Sequence, residues 1–160
     1  MTIYIKNLKD LEGLIKNKMA NNLYFSSNLQ DVMAETMHDV IVDNVYAAFT
    51  PEEYQRRGND EGFSDMDNMF FTDAQNVDNK VKLTFENITE GNDSMDGEEL
   101  TEMFETGNGK WDKEVTDDKG RLNTDPRPFL DDTVQELSRK KSQLNNALKK
   151  DLKNLGFDVK

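Results

Sequence analysis

Residues 27–51 read SNLQDVMAETMHDVIVDNVYAAFTP, and the fold turns on this run. Leu29, Val32, Met33, Met37, Val40, Ile41, Val45, Ala48 and Phe49 recur at three- and four-residue steps, which winds them into one apolar stripe. The spacing predicts a core helix. Ser27 and Asn28 are N-cap candidates, Asp31 puts an acid in the first turn, and Thr50-Pro51 marks the stop. His38, the one histidine, flanks the stripe next to Asp39 and reads as a solvated helix-face residue.

Upstream, TIYIK (2–6) alternates apolar and polar residues and predicts a short strand. Leu8, Leu11, Leu14, Ile15, Met19 and Leu23 then fall at helical spacing. Gly13 weakens that helix by about 1 kcal/mol relative to alanine, so it requires tertiary support. Downstream, residues 54–68 carry two glycines, many charges and no periodicity, and read as a loop.

Residues 68–89, NMFFTDAQNVDNKVKLTFENIT, predict a β-hairpin around the turn-prone DAQNVDNK, with Val81, Leu83 and Phe85 alternating against Lys82 and Thr84. The adjacent Phe70 and Phe71 point to opposite faces of a strand, so one faces outward, as at a buried intersubunit face. GNDSMDGEE (91–99) is a polar connector, ELTEMFETG (99–107) a short helix or turn ending at Gly107, and residues 108–125 a further irregular stretch. Loops this long in a small domain are usually functional or ordered by a partner.

After DPRPF (125–129), Leu130, Val134, Leu137, Leu144, Leu148 and Leu155 form a narrow stripe interrupted at Lys141 and ended by Gly156. It suits a long helix that docks by one seam, its basic end (146–160) extending into solvent. The sum is an α+β fold in a single domain over residues 1–160: two N-terminal helices, a small antiparallel sheet with long acidic loops, and a long C-terminal helix.

The net charge of -12 is concentrated. Residues 60–106 hold 14 acids against two bases, Lys80 and Lys82, whereas residues 128–160 hold seven bases against five acids. Such segregation lets opposite ends of the molecule attract each other between copies. It argues against tight binding to nucleic acid or an anionic membrane, both of which require cationic side chains. DNA is at most a passing neighbour. No stretch approaches the roughly 20 apolar residues of a membrane span, and no signal-peptide h-region is visible, so synthesis in a host cytoplasm is expected.

The sequence lacks the parts of most reaction centres. There is no cysteine, His38 stands alone, and neither GxxxxGK[ST] nor GxGxxG occurs. A non-enzyme without cofactor or metal is therefore expected. The oxygen-rich runs Asn59–Asn68 and Asp112–Asp125 cluster near glycines but lack the ligand order of a calcium loop and read as acidic loops. Trp111 fits a core plug and an interface anchor equally well.

Three short signals, Tyr54-Gln55-Arg56-Arg57-Gly58, Glu105-Thr106-Gly107 and Arg127-Pro128-Phe129-Leu130, lie in the order and spacing of the tail-completion, or head-tail joining, family of long-tailed phages, which the chain resembles over residues 28–145. Arg57 stands where that family has threonine, and the two acidic insertions DEGFSDMDN and GNDSMDGEE depart from its pattern. The resemblance implies a structural virion protein of the phage neck. It would form a homo-oligomeric ring, commonly six-fold, between portal or adaptor proteins and the tail tube or tail terminator. Tyr54, Arg56, Gly58, Trp111, Arg127, Pro128 and Phe129 are then the interface candidates. The segregated charge also suits the alternative of an acidic DNA-mimicking module that inhibits a host protein, and a carboxylate-only metal enzyme is a further reading.

Overall fold

A computed structural model of the chain describes residues 8–25, 28–49, 61–78, 80–90, 97–107 and 124–159. The expected N-terminal strand at residues 2–6 lies outside them. The described elements are helix α1 (Leu8–Tyr24), helix α2 (Asn28–Ile41), strands β1 (Met69–Val77) and β2 (Lys80–Asn87), and helices α3 (Gly97–Thr106), α4 (Leu130–Arg139) and α5 (Lys141–Asn154). This is the α+β arrangement that the periodicities imply, with helices around one two-stranded antiparallel sheet.

The long central stripe does not form one regular helix. α2 ends at Ile41 and passes into a π-helical turn, Val42–Tyr46, closed by the bond from the Ala47 N–H to the Val42 carbonyl (2.9 Å). The sequence explains why. Met37, Ile41, Val45 and Phe49 follow at steps of four, and an α-helix over-rotates by about 40° at each such step. The wider turn cancels the drift, so Ile41, Val45 and Phe49 all remain buried.

Ile41 and Val45 join Ala34, Met37 and Val40 of α2, Phe63, Met69, Leu100, Met103 and Phe129 in one core, with Tyr46, Phe85 and Phe104 packed at its margin. Phe63 comes from the stretch that reads as a loop. Its short apolar signal is invisible to periodicity, yet it is buried between Phe104 (ring centroids 4.7 Å apart) and Phe129 (5.2 Å).

The hairpin pairs Val77 with Lys80, so the connection is the two positions 78–79 and the turn is tighter than the sequence suggests. Asp78 takes a positive φ there. The register shifts between Phe71 and Asp73, which leaves Thr72 as the extra residue of a bulge. Phe71 points inward against Phe85 and donates its N–H to Gln30 Oε1 (3.3 Å), while Phe70 is half-buried. A two-stranded sheet is marginal alone, and α1 covers both strands while α2 covers β1.

In α1, Glu12 and Lys16 pair across one turn, and the hydrogen bond from the ammonium holds the Glu12 carboxyl below the usual carboxylate range. Between them, Gly13 has open space where a Cβ would stand. Gly13→Ala is therefore expected to stabilise the protein by ~0.5–1 kcal/mol, read as a higher midpoint in chemical denaturation with unchanged slope.

The C-terminal stripe breaks at Lys140, whose ψ of 18° separates α4 from α5. The inward face of α4 is also not the one its apolar residues suggest. Phe129 anchors the start of the helix in the core, so Thr133, one turn later, is the buried position, and Leu130 and Val134 are turned to solvent. α5 does not extend into solvent. It packs on α2 through buried Ala147 and half-buried Leu144, Leu148 and Leu155, and Lys18 of α1 reaches the Leu155 carbonyl (3.4 Å) and the Phe157 ring.

One buried carboxylate fixes that packing. Asp151 accepts from the Leu29 N–H (2.9 Å) and from Asn28 Nδ2 (2.6 Å), so the N-terminus of α2 is capped from α5. Asn28, a cap candidate by sequence, instead donates to this tertiary cap. Asp151→Ala is expected to cost ~2 kcal/mol and to expose amides at the start of α2 to hydrogen exchange. Asp151→Asn should lose less, because its amide oxygen still accepts one of the two bonds.

Candidate functional site

Two of the three motif segments meet. α3 ends at Gly107, which has φ +73° and donates its N–H to the Met103 carbonyl (3.0 Å), the left-handed ending that glycine permits. The incoming strap, residues 124–129, crosses this end so closely that a Cβ on Gly107 would lie 2.2 Å from the Thr124 carbonyl oxygen. The Arg127 N–H then donates to the Phe104 carbonyl (2.7 Å).

Arg127 itself is buried. Its guanidinium lies 5.0 Å from the Phe104 ring centroid and 5.5 Å from that of Phe49, between two aromatic faces whose negative quadrupoles attract the cation. Phe129, 1% exposed, closes the aromatic group with Phe63.

The start of α4 is held from two other elements. Glu105 Oε1 accepts from the N–H groups of Phe129 (2.7 Å) and Leu130 (2.9 Å), a carboxylate placed at the positive end of the helix dipole. Asn44, in the π turn, donates to the Pro128 carbonyl (2.8 Å) and to Asp132 (2.7 Å). Because Phe129 offers no side-chain cap, these tertiary bonds do the capping. They also determine the rotation of α4, and so which residues it shows: Leu130 is 40% and Val134 62% exposed, a pair of large apolar side chains one turn apart.

A second polar cluster holds residues 61–68 to the hairpin. His38 Nδ1 lies 2.6 Å from the Ser64 carbonyl, and the Tyr46 hydroxyl accepts from the Ser64 N–H (3.2 Å). His38 is therefore half-buried and engaged rather than solvated: Ser64 packs over the flank of α2, a contact the local sequence does not encode. Buried Asn87 donates to the Phe63 carbonyl (2.7 Å) and accepts from the Thr89 N–H (3.0 Å). The two carboxylate oxygens of Asp65 accept the N–H groups of Glu61 and Asp67, which makes this acid a turn-former. Among the described residues, no group of three histidines or acids stands in position to hold a metal ion.

Of the interface candidates, Arg127 and Phe129 are buried within the chain, where they build the junction, and Pro128 between them is exposed. Tyr54, Arg56, Gly58 and Trp111 lie outside the described residues. Sequence reasoning missed the part of Asn44: asparagine in a helix extension carries no signal of its partner 84 residues away. Glu105 was part of a motif, but its cap on α4 follows only from the packing.

No helix among the described residues is long and apolar enough to cross a membrane. No solved structure matches the chain. The YomN family matches residues 7–154. The SPbeta prophage-derived protein YomN of Bacillus subtilis (strain 168) is 32% identical over 149 residues, which covers 92% of this chain and 94% of that protein. The matched family is not the tail-completion family that the three motifs suggest, and the common ground between them is phage origin. By a match over almost its whole length, this phage-derived chain belongs to the YomN family.

Proposed function

We propose that the chain is a structural subunit of a phage neck, a tail-completion or head-tail connector protein that assembles with itself into a ring. Its neighbours would be portal or adaptor proteins on one side and the tail tube or tail terminator on the other. The observation that carries this reading is the capping of α4 by Glu105. It joins two of the three motif segments into one rigid corner and leaves Leu130 and Val134 facing outward, apolar area that association can cover. The relative's prophage origin supports a virion role.

Immunogold electron microscopy of virions from the phage that encodes the chain tests the reading. Label is expected at the head-tail junction, and a phage lacking the gene is expected to accumulate filled heads and separate tails. Normal virions from the deletion would sink the proposal. Recovery of the chain in a salt-sensitive complex with a basic host protein would instead support the DNA-mimic alternative.

A further inference from the structure

α5 is the basic helix of an acidic protein. Over Lys141–Asn154 its only acid is Asp151, which is buried and committed to the start of α2, so Lys149, Lys150 and Lys153 present an exposed positive face. α3 is the converse. It contains no base, and Glu98 and Glu102, one turn apart, are exposed on it, beside exposed Ile88. Two fastenings place the faces at opposite ends of the molecule. Asp151 ties α5 to Asn28 at the beginning of α2, and Asn44, beyond the other end of α2, ties down the strap that Glu105 of α3 caps. Helical rise sets the two fastening points, Asn28 and Asn44, roughly 25 Å apart, whereas the screening length at physiological salt is about 8 Å. The two charges cannot satisfy each other within one chain, but they can between chains.

We propose that the outward face of α5 docks on the acidic face of α3 in a second copy of this chain. The contact is heterologous: each copy offers one face and accepts on the other, so it repeats from copy to copy. DNA is the weaker occupant for the lysine face, because the net charge of -12 repels the phosphates around it. Exposed apolar residues at the acidic end, Ile88 beside α3 and Leu130 at the helix start that Glu105 caps, add area for water to leave. The inference rests on the ring reading only in naming which faces meet.

Sedimentation of the purified full chain across protein concentration and salt tests it. Association is expected at low salt and is expected to dissolve as salt rises. The triple variant K149E/K150E/K153E and the double variant E98K/E102K should each weaken association on the order of 100-fold, with circular dichroism unchanged because all five side chains are exposed. The neutral K149Q/K150Q/K153Q should lose less. Mixing the two charge-reversed proteins should restore a complex between them. A wild-type chain that stays monomeric at low salt, reversed variants that associate like the wild type, or a mixture that fails to associate would each overturn the proposal. The labelling of virions judges the neck reading separately.

Discussion

Phe129→Ala is expected to cost ~3–5 kcal/mol, the range for deleting a buried aromatic ring from a packed interior. The residue is 1% exposed and meets Phe63 edge-on, so the cavity would open where the loop at 61–64, α3 and α4 converge. None of these neighbours is free to collapse into it. Phe63 is held by Asn87 at its carbonyl, and the backbone of position 129 stays fixed by Glu105. For a domain of this size the loss corresponds to a melting temperature lower by ~10 °C. Calorimetry checks it, and a drop of only a degree or two would show that the aromatic group is not the keystone of the core. Phe129→Leu, which keeps most of the volume, should recover more than half of the loss.

Gly107→Ala is expected to destabilise by ~3 kcal/mol or more, although it adds a single methyl group. An L-residue in the left-handed region costs ~1–2 kcal/mol by itself. The added Cβ would also stand 2.2 Å from a backbone oxygen, that of Thr124, and 3.0 Å from the Pro126 ring nitrogen. Backbone cannot rotate away as a long side chain can, so the strap must lift, and with it the Arg127 to Phe104 bond and the cap on α4. The signature is thus more than lost stability: near-ultraviolet dichroism of the aromatic group should change, and amides at the start of α4 should exchange faster. A Gly107→Ala protein with native exchange at Leu130 would refute the coupling of these segments.

Much of this architecture is readable along the chain wherever one face repeats. The stripe from Leu29 to Phe49 announces the central helix, Val81, Leu83 and Phe85 announce β2, and Gly107 and Gly156 both stand at helix ends with positive φ. Even the π turn has a linear trace in the run of four-residue steps from Met37 to Phe49. The errors come where one side chain outweighs a pattern. Leu130 and Val134 have the right spacing for a buried seam, yet they lie outside, since Phe129 sits in the core and rotates the helix away from them. Phe63 is a lone apolar residue among charges, and a single position has no period to detect.

The order of the described helices and strands, the inward placing of Met37, Val40 and Ile41 on α2 and the segregation of charge are all written in local patterns, because hydrophobic periodicity and composition depend only on near neighbours in the chain. The junction is of another kind. Asp151 capping α2, Glu105 capping α4, Asn44 reaching Pro128 and Arg127 between Phe49 and Phe104 are contacts over 20 to more than 120 positions, each made by a residue type that is commonplace at a surface. A polar side chain does not reveal its partner until the core has closed and left it with one place to hydrogen-bond. That closure, driven by burial of apolar area rather than by any of these bonds, is what turns an acid, an amide and a guanidinium into the corner from which α4 is aimed.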